Sequence, residues 1–395
     1  MHEQLPLEES VDSNEAKPKH AEYIFMAFRR YRFSTRSDAE FTKTLRKRVD
    51  AYFKDHRMSR HANAVMILKT IFVFTLAFGP LVVMLTGVIE NIWALFGMWA
   101  AMAIGMSAIG TSVMHDALHG SYSKNPVINK ILGGSINLLG ASSKMWHIQH
   151  NVLHHSFTNM HDSDEDINGP AILRFHPHQE RMTIHKYQHL YAWFLYGLST
   201  LMWITTKDFS ALFRYKNIGL LKNGKDFKNA FTEVVIWKFV YYGYILVLPL
   251  IFIPAPWWAI ILMFVTMHFI MGFVLSVVFQ TAHVIPTTEM PEGTEDGKME
   301  RNWHVHQLLT TANFSQTRKL GGKLVTWFTG GLNYQVEHHL FPNICHIHYP
   351  KIAPIVKATA EEFKIPYYDS GSLMDAVRCH ASMLRRLGRV DQPAV

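Results

Sequence analysis

The sequence predicts an all-α integral membrane protein. Four transmembrane helices form two hairpins, further helices lie at the membrane interface, and a cytosolic helical cap carries a metal site. Three observations support this fold class: long apolar segments, few charged residues and many histidines. Of the 395 residues, 49% are hydrophobic, only 18% are charged and 24 are histidines. Long apolar runs with few charges are typical of chains that cross a bilayer.

Four segments reach the roughly 20 apolar residues that a membrane-spanning helix requires. They are predicted at about residues 64–89, 92–114, 234–253 and 257–279. Glu90 and Asn91 join the first two segments, and Pro254, Ala255 and Pro256 join the last two. Proline ends one helix and begins the next. The chain is therefore expected to form two helical hairpins with very short turns.

Two further apolar stretches are less suited to crossing a bilayer. Residues 129–146 are interrupted by glycines, and residues 189–206 are aromatic-rich but borderline in length. If either stretch crossed the membrane alone, the orientation of every later span would be inverted. Both are predicted as interfacial helices along the cytosolic leaflet.

The distribution of basic residues predicts the orientation. The two hairpin turns contain no Lys or Arg, whereas the termini and the centre hold nearly all of them. The positive-inside rule therefore places both termini and the centre in the cytosol. Lys69 and Lys238 lie near the cytosolic ends of their spans and are expected to snorkel towards the headgroups.

Four regions follow from this arrangement. They are a disordered tail (1–20), a cytosolic amphipathic arm (21–62), the membrane domain with the metal site (63–354) and a cytosolic C-terminal helical region (355–395). The net charge of +8 lies beside the apolar runs, which favours anionic lipid rather than nucleic acid as its partner. Cys345 and Cys379 have no CxxC partner, which argues against a disulfide scaffold or a cysteine metal site.

The histidines cluster where the spans are expected to leave the bilayer. Residues four apart on a helix share a face, so each cluster should present several rings together. The clusters contain His115 and His119 in "HDALHG", His150, His154 and His155 in "HNVLHH", His283 in "FQTAHV", and His338 and His339 in "QVEHH".

Eight imidazoles on one side of a membrane indicate two metal ions, because one ion rarely binds more than four. Neutral imidazole is a good ligand for Fe, Zn, Cu and Ni. Other histidines fall outside the pattern and are expected to be structural: His147, His161, His176, His178, His185, His189 and His268. Four more lie near the third cluster in sequence and are expected to support ligands or lie at the surface: His304, His306, His346 and His348.

Taken together, "HDALHG", "HNVLHH" and "QVEHH" resemble the three histidine boxes of the membrane fatty-acid desaturase family. The resemblance covers about residues 64–354 and includes "HNVLHHSFTNMHDSDEDI" and "LNYQVEHHLFP". It implies a non-haem di-iron centre whose ligands are His115, His119, His150, His154, His155, His283, His338 and His339.

Gln335 stands where other members of the family have a histidine. This substitution resembles the front-end desaturases, which insert a double bond between an existing one and the carboxyl end. Asp116, Asn333 and Gln335 are candidates for supporting the ligands. A helix-surface carboxylate is an equal alternative for Asp116, and direct, water-mediated or no contact with the metal is open for Gln335. Asp164 and Asp166 match an acidic stretch of the family without an assigned role.

The resemblance also implies a reaction and its partners. Two iron ions, O2 and two external electrons would convert a fatty acyl chain into its cis-unsaturated product. The acyl group could be linked to coenzyme A, a carrier protein or a lipid. The sequence contains no His-Pro-Gly-Gly haem motif, so ferredoxin or free cytochrome b5 is the expected electron donor. This free-standing form is typical of a bacterial inner-membrane protein.

Three alternatives remain open from the sequence. A lipid hydroxylase of the same family would use the same ligands. A zinc-dependent membrane hydrolase or receptor would need neither O2 nor reductant. A histidine-rich metal transporter would need polar residues along its spans, but here the histidine clusters lie at the ends of the spans.

Overall fold

The computed structural model of the chain describes residues 31–294, 296–317 and 319–389. The predicted tail at residues 1–20 lies outside the described residues. Helices dominate the described part, and its strands form only two short parallel pairs. The predicted all-α class is therefore confirmed.

The first half of the described chain contains the first hairpin and a series of short helices. Its elements are β1 (Arg32–Phe33), α1 (Ala39–Asp55), α2 (Ala64–Leu85), α3 (Ile92–Ala108), a π-helical segment (Ile109–Met114), α4 (His115–Leu118), α5 (Pro126–Gly133), α6 (Ser135–Leu138), α7 (Ser143–Trp146), a second π-helical segment (His147–His154) and α8 (His155–Phe157).

The second half contains the second hairpin and the rest of the cap. Its elements are a 3₁₀ helix (Thr183–Tyr187), α9 (Gln188–Met202), a π-helical segment (Trp203–Lys207), α10 (Asp208–Asn217), α11 (Gly224–Tyr242), a π-helical segment (Gly243–Val247), α12 (Leu248–Phe252), α13 (Trp257–His283), β2 (Lys298–Met299), α14 (Trp303–Thr310), β3 (Ala312–Asn313), α15 (Leu320–Phe328), α16 (Gln335–Leu340), a 3₁₀ helix (His346–His348), α17 (Tyr349–Glu362), β4 (Tyr368–Asp369) and α18 (Leu373–Leu387).

Four continuous helices are long and apolar enough to cross a membrane, as predicted. They comprise Ala64–Leu85, Ile92–Leu118, Gly224–Phe252 and Trp257–His283. The first span ends before the predicted residue 89, because Gly87 adopts a left-handed turn with φ of 73°. The second and fourth spans run past their predicted ends, so that His115 and His283 belong to the span helices themselves.

The third span begins at Gly224, well before the predicted residue 234. Its first turns carry Lys225, Asp226 and Lys228, which hid the start of the helix from a search for apolar residues. The Asn223 side chain accepts a hydrogen bond from the backbone N–H of Asp226 and so caps the helix. The helix therefore begins before its apolar part does.

Residues 189–206 lie in α9 and the following π-helical segment, and α9 packs along the fourth span α13. Gly197 and Gly272 lie at this contact, where a Cβ on either residue would overlap its neighbour. Leu190 and Phe194 remain exposed on α9. Residues 129–146 are broken into α5, α6 and α7. Neither stretch is among the membrane-length helices of the described chain, and their interfacial position stays a prediction.

Two lysines behave differently from the expectation. Lys69 is 5% exposed, and its Nζ lies 3.1 Å from Nε2 of His346. Lys238 is 8% exposed, and its Nζ donates to Asp208 at 2.8 Å and to two carbonyl groups. The predicted snorkelling is therefore wrong for both, because protein partners inside the fold hold each ammonium group.

The cap is built mainly from α1, α14, α16, α17 and α18. The apolar face of α1 carries Phe41, Leu45, Val49 and Phe53 at helical spacing and packs against α17. The C-terminal helix α18 is anchored by His380, whose ring nitrogens lie 2.6 Å from the Tyr196 hydroxyl and 2.7 Å from the Val284 carbonyl oxygen. The boundary proposed at residue 354 falls inside α17, and the division into four regions stays a prediction.

Candidate metal centre

The eight histidines of the predicted ligand set meet at one end of the four spans. This is the end opposite the hairpin turns at Asn91 and Ala255. His115 and His119 lie at the end of the second span and His283 at the end of the fourth. The other five are supplied by the second π-helical segment, α8 and α16: His150, His154, His155, His338 and His339.

The first group of ligand atoms belongs to His115, His119, His150 and His338. One nitrogen from each ring lies within 4.8 Å of the others. The Nε2 atoms of His115 and His150 are 3.2 Å apart. Such a set is compact enough for a single ion with imidazole ligands.

The second group belongs to His154, His283 and His339, which meet the same distance limit of 4.8 Å. His155 lies between the groups. Its Nε2 is 3.2 Å from Nε2 of His150 and 2.9 Å from Nε2 of His338, and it also clusters with His339. The eight rings therefore form one continuous centre. Four belong to the first group, three to the second, and His155 connects the two, so that two sets of ligands are present.

Local helix geometry explains how the second motif serves both groups. Residues His147–His154 form a π-helical segment, in which residue i is bonded to residue i+5. This winding brings His155 beside His150, five residues earlier. The ring of His154 stacks on His150 at 5.2 Å between centroids and also lies near His283 and His339, with ring centroids 4.8 Å and 4.9 Å away. Adjacent histidines thereby reach different groups.

A left-handed turn positions the third motif. Gly330 and Gly331 have φ of 61° and 71°, and they precede α16 by a few residues. Gly330 packs directly on the backbone of Thr111 in the first π-helical segment, where a side chain would overlap the main chain. This contact seats α16 against the end of the second span, which carries His115.

The outer ring nitrogens of four histidines are held by other parts of the chain. Nδ1 of His154 lies 2.9 Å from Oδ1 of Asp164, and Nδ1 of His339 lies 2.7 Å from Oε1 of Gln307. The remaining two contacts are His283 with the Thr310 carbonyl oxygen at 3.2 Å and His338 with the Tyr349 hydroxyl at 3.3 Å. The oxygen atoms that face His283 and His339 accept a proton from Nδ1, which leaves Nε2 of these two rings with its lone pair for a metal.

The Nε2 atoms that face the centre have the surroundings expected of metal ligands. Nε2 of His119, His154, His283 and His339 is buried and has no hydrogen-bond partner among the described residues. Buried polar atoms are nearly always paired in native proteins. Unpaired nitrogens directed into a nest of imidazoles are therefore the chemistry expected of ligands to a metal ion.

Protonation in the cap also suits metal binding. Burial lowers the pKa of His119, His150, His155, His338 and His339 well below the ordinary value, so these rings are neutral.

His154 differs from these rings in its charge. Burial opposes its charged form, but the carboxylates of Asp164 and Asp166 outweigh burial and raise the pKa of His154 to about 9. A metal ion and a proton would compete for its Nε2.

The three predicted supporting residues have different surroundings. Oδ2 of Asp116 lies 2.8 Å from Nδ1 of His346, which in turn contacts Lys69, so this carboxylate holds a residue outside the ligand set. Asn333 donates to the Phe314 carbonyl oxygen at 3.1 Å and serves the turn before α16.

Gln335 shares a helical face with His338 and His339. Both polar atoms of its side chain are buried without a hydrogen-bond partner among the described residues. The supporting roles of all three residues stay predictions.

Sequence reasoning missed the residues that hold the outer nitrogens. In the sequence, Asp164 is recognisable only as part of an acidic stretch, and no motif marks Gln307, Tyr349 or Thr310. Gln307 is the fifth residue of α14, and its partner His339 is 32 positions away. Only Asp164 gave a signal, since a carboxylate close after a histidine motif is a common partner for a metal-binding imidazole.

Most histidines expected to be structural are indeed bonded within the fold. His268 lies inside the fourth span, with Nε2 2.6 Å from the Tyr241 hydroxyl. Nε2 of His185 lies 2.8 Å from the Ala171 carbonyl oxygen. Neither belongs to a metal-sized cluster of the described residues.

Four apolar helices with a buried histidine centre at one end define a helical membrane protein with a site that could bind metal. Residues 90–371 match the family model described as fatty acid desaturase. The chain therefore belongs to the fatty acid desaturase family, as its three histidine motifs predicted. It is an oxidoreductase with a fatty acyl or lipid substrate.

Three relatives illustrate the similarity. An acyl-lipid (8-3)-desaturase of Physcomitrium patens is 35% identical over 361 residues, which cover 90% of this chain and 73% of that protein. An sn-1 linoleoyl-lipid 6-desaturase of Synechocystis sp. is 33% identical, covering 88% of this chain and 96% of that protein. A Delta(5) fatty acid desaturase A of Dictyostelium discoideum is 31% identical, covering 89% and 75%.

Proposed function

We propose that this protein is a front-end acyl desaturase that inserts a cis double bond with O2 and two non-haem iron ions. The observation that carries the proposal is the division of eight imidazoles, all but His119 fully buried, into two connected groups. The iron ligands would be His115, His119, His150, His154, His155, His283, His338 and His339. Gln335, three residues before His338, supports the front-end assignment by its resemblance to that subfamily.

The proposed substrate is an acyl chain esterified in a lipid. Relatives that share about a third of their residues with this chain are named as acyl-lipid and linoleoyl-lipid desaturases. The name of the Synechocystis relative specifies position 6, on the carboxyl side of the double bonds of a linoleoyl chain. The same direction of insertion is proposed here, with coenzyme A and a carrier protein as the alternative carriers.

When bound, the iron pair would supply the oxidising power towards an unactivated C–H bond that no amino-acid side chain has. The chain itself supplies placement. Asp164, Gln307 and Tyr349 hold the outer nitrogens of three ligands and so fix the directions of their rings. The site is largely buried, which keeps water away from the reaction. The proposed reaction requires two adjacent methylenes of the substrate to be held within about an ångström of the correct position.

We further propose a separate electron donor, either ferredoxin or free cytochrome b5. The proposed reaction consumes two electrons for each double bond, and the imidazole side chains of the proposed site have no redox chemistry that could supply them.

The fatty-acid profile of cells that express the chain tests the proposed function. A host without polyunsaturated lipids is given linoleate, and new double bonds are located by mass spectrometry. The expected product carries an additional cis bond on the carboxyl side of the existing bonds and is absent from cells with the empty vector. A hydroxy lipid as the main product would instead assign the chain to the hydroxylases of this family.

We propose a bacterial inner membrane as the location, with the histidine end and both termini in the cytosol. Basic residues are concentrated at that end, whereas the turns at Asn91 and Ala255 carry none.

Cysteine labelling tests this orientation. Glu90→Cys and Ala255→Cys, in a chain with Cys345 and Cys379 replaced by serine, are expected to react with an impermeant maleimide in intact cells. Lys225→Cys, at the histidine end of the third span, should react only after the membrane is opened. Labelling of Lys225→Cys in intact cells with protection of the two turns would invert the proposed orientation.

A further inference from the structure

The solvent face of α1 carries a cluster of basic residues that the metal centre does not use. An open groove lies between this face and the residue before α14. The side chains on which the argument depends are Thr42, Lys43, Arg46, Lys47, Asp50 and Asn302. Lys43, Arg46 and Lys47 are exposed, and none of them forms an ion pair within the described parts of the chain.

The groove has a net positive charge even though it contains a carboxylate. Asp50 is already paired with Arg60, whereas the three cations of the groove have no such partner among the described residues. The neighbouring Arg48 is paired with Glu362 and lies outside this set. Unpaired like charges at helical spacing repel each other, so this cluster costs the isolated protein some stability. An anionic partner would remove that cost.

The inner wall of the groove leads towards the metal centre. Asn302 is 9% exposed, and its Oδ1 accepts hydrogen bonds from the Thr42 hydroxyl at 3.1 Å and the His304 backbone N–H at 2.9 Å. Asn302 is therefore the N-cap of α14 and joins this helix to α1. The start of α14 thus lies against the basic groove.

The inner face of α14 touches two of the proposed ligands. Nε1 of Trp303 donates to the backbone carbonyl oxygen of His155 at 3.0 Å. One turn later, Gln307 donates to the same carbonyl oxygen at 3.1 Å and holds Nδ1 of His339 at 2.7 Å. Gln307 is five positions after Asn302, which corresponds to about 7.5 Å along a helix axis. The groove is thus one short helix away from the metal centre.

We propose that this groove is the docking site for a small acidic one-electron carrier protein, and that α14 connects the docked carrier to the metal centre. The proposal rests on the proposed function, which requires external electrons. Each double bond consumes one O2, two carrier electrons and two protons, and the two hydrogens taken from the acyl chain leave in two molecules of water. Two reduced carriers must therefore dock in each turnover.

Charge and position together favour a protein carrier over a lipid headgroup. Complementary charge accelerates the encounter of two proteins and orients them, which suits a partner that must dock and leave repeatedly. A second basic cluster, Lys222, Lys225 and Lys228, lies at the start of the third span and is also exposed. That cluster would serve a headgroup equally well, but it does not line the groove that leads to α14.

The test compares charge reversal at the two clusters. The variants Lys43→Glu/Arg46→Glu/Lys47→Glu and Lys222→Glu/Lys225→Glu/Lys228→Glu are prepared with bound metal in the same membrane lipid. A plant-type [2Fe–2S] ferredoxin and the soluble domain of cytochrome b5 serve as acidic carriers. For the α1 triple variant, we expect the KM for the carrier to rise at least 10-fold and its salt dependence to weaken. The control triple variant should stay within about 2-fold of the wild type.

Dithionite-driven single turnover separates docking from chemistry. The α1 triple variant should form as much unsaturated product per enzyme as the wild type when dithionite replaces the carrier. An unchanged KM for both carriers, or an equal rise in both triple variants, would overturn the docking site. Reduced binding to phosphatidylglycerol vesicles without a change in KM would assign the α1 cluster to the membrane instead. If the wild type itself gave no product under dithionite and O2, the proposed function would fail rather than the docking surface.

Discussion

Replacing His338 by alanine is expected to abolish desaturation while leaving the protein in the membrane. His338 is fully buried, belongs to both the first group of ligand atoms and the cluster around His155, and lies 2.9 Å from His155 between their Nε2 atoms. Residues that only orient a ligand contribute about 10–100-fold to metal affinity or activity. Loss of a shared imidazole should exceed about 100-fold, because it removes the lone pair itself.

Metal content distinguishes loss of a ligand from general damage. The purified wild type should hold two iron ions per chain after reconstitution, and His338→Ala should hold one or fewer. His56→Ala is the matched control, because His56 is exposed and its ring contacts Tyr52, one turn earlier on α1, rather than a proposed ligand. Wild-type turnover and full metal content in His338→Ala would remove His338 from the proposed ligand set.

The spans and the histidine end of the fold could be predicted because each depends on local composition. A run of apolar residues must lie in lipid or in a core, and the four longest runs became the four spans. The histidine motifs follow the second and fourth spans. Because an even number of membrane crossings precedes each motif, all of them are expected on the same side of the membrane. His115 and His283 sit on the span helices themselves. The order of spans and histidine motifs along the chain was thus enough to predict that the histidines meet at one end.

The division of the ligands into two groups could not be predicted, because it depends on a departure from α-helical winding. An α-helical "HNVLHH" places His150 and His154 on one face. In the structure, the π-helical segment also brings His155 to His150, at 3.2 Å between Nε2 atoms. His154 stacks on His150 at 5.2 Å between ring centroids and joins His283 and His339 in the other group. Nothing in the six letters distinguishes the two windings, since the choice depends on packing with distant elements.

The partners of the buried charges could not be predicted for a related reason. Lys69 and Lys238 lie in apolar helices, and neither has an acid three or four residues away on its own helix. Their partners come from far along the chain: His346 for Lys69, and Asp208, 30 residues away, for Lys238. Asp116 likewise meets His346 across 230 residues. Pairing over such separations is a property of the tertiary fold, which composition does not reveal.

Replacing Asp164 by asparagine is expected to weaken metal binding, because Asp164 contacts a proposed ligand that only the tertiary fold brings near it. Asp164 is fully buried, and its Oδ1 lies 2.9 Å from Nδ1 of His154. Its Oδ2 accepts the backbone N–H of Asn159 at 2.8 Å, which ties the loop to the ligand. Asp164→Asn keeps the shape but removes the charge that favours a proton on Nδ1. Metal affinity and turnover are expected to fall about 10–100-fold.

Chelator competition and initial-rate measurements on the same preparations test this expectation. Asp162→Asn is the matched control, because Asp162 lies in the same loop but faces His161, at 3.2 Å, and not a proposed ligand. The control should keep wild-type affinity, while Asp164→Asn releases iron to the chelator more readily. The melting temperature of Asp164→Asn should also fall, because an amide NH2 cannot accept one of the N–H groups that the carboxylate accepts. If both variants retained iron and activity equally, the carboxylate would serve the loop alone. His154 would then hold its ring direction through packing against His283 and His339 rather than through Asp164.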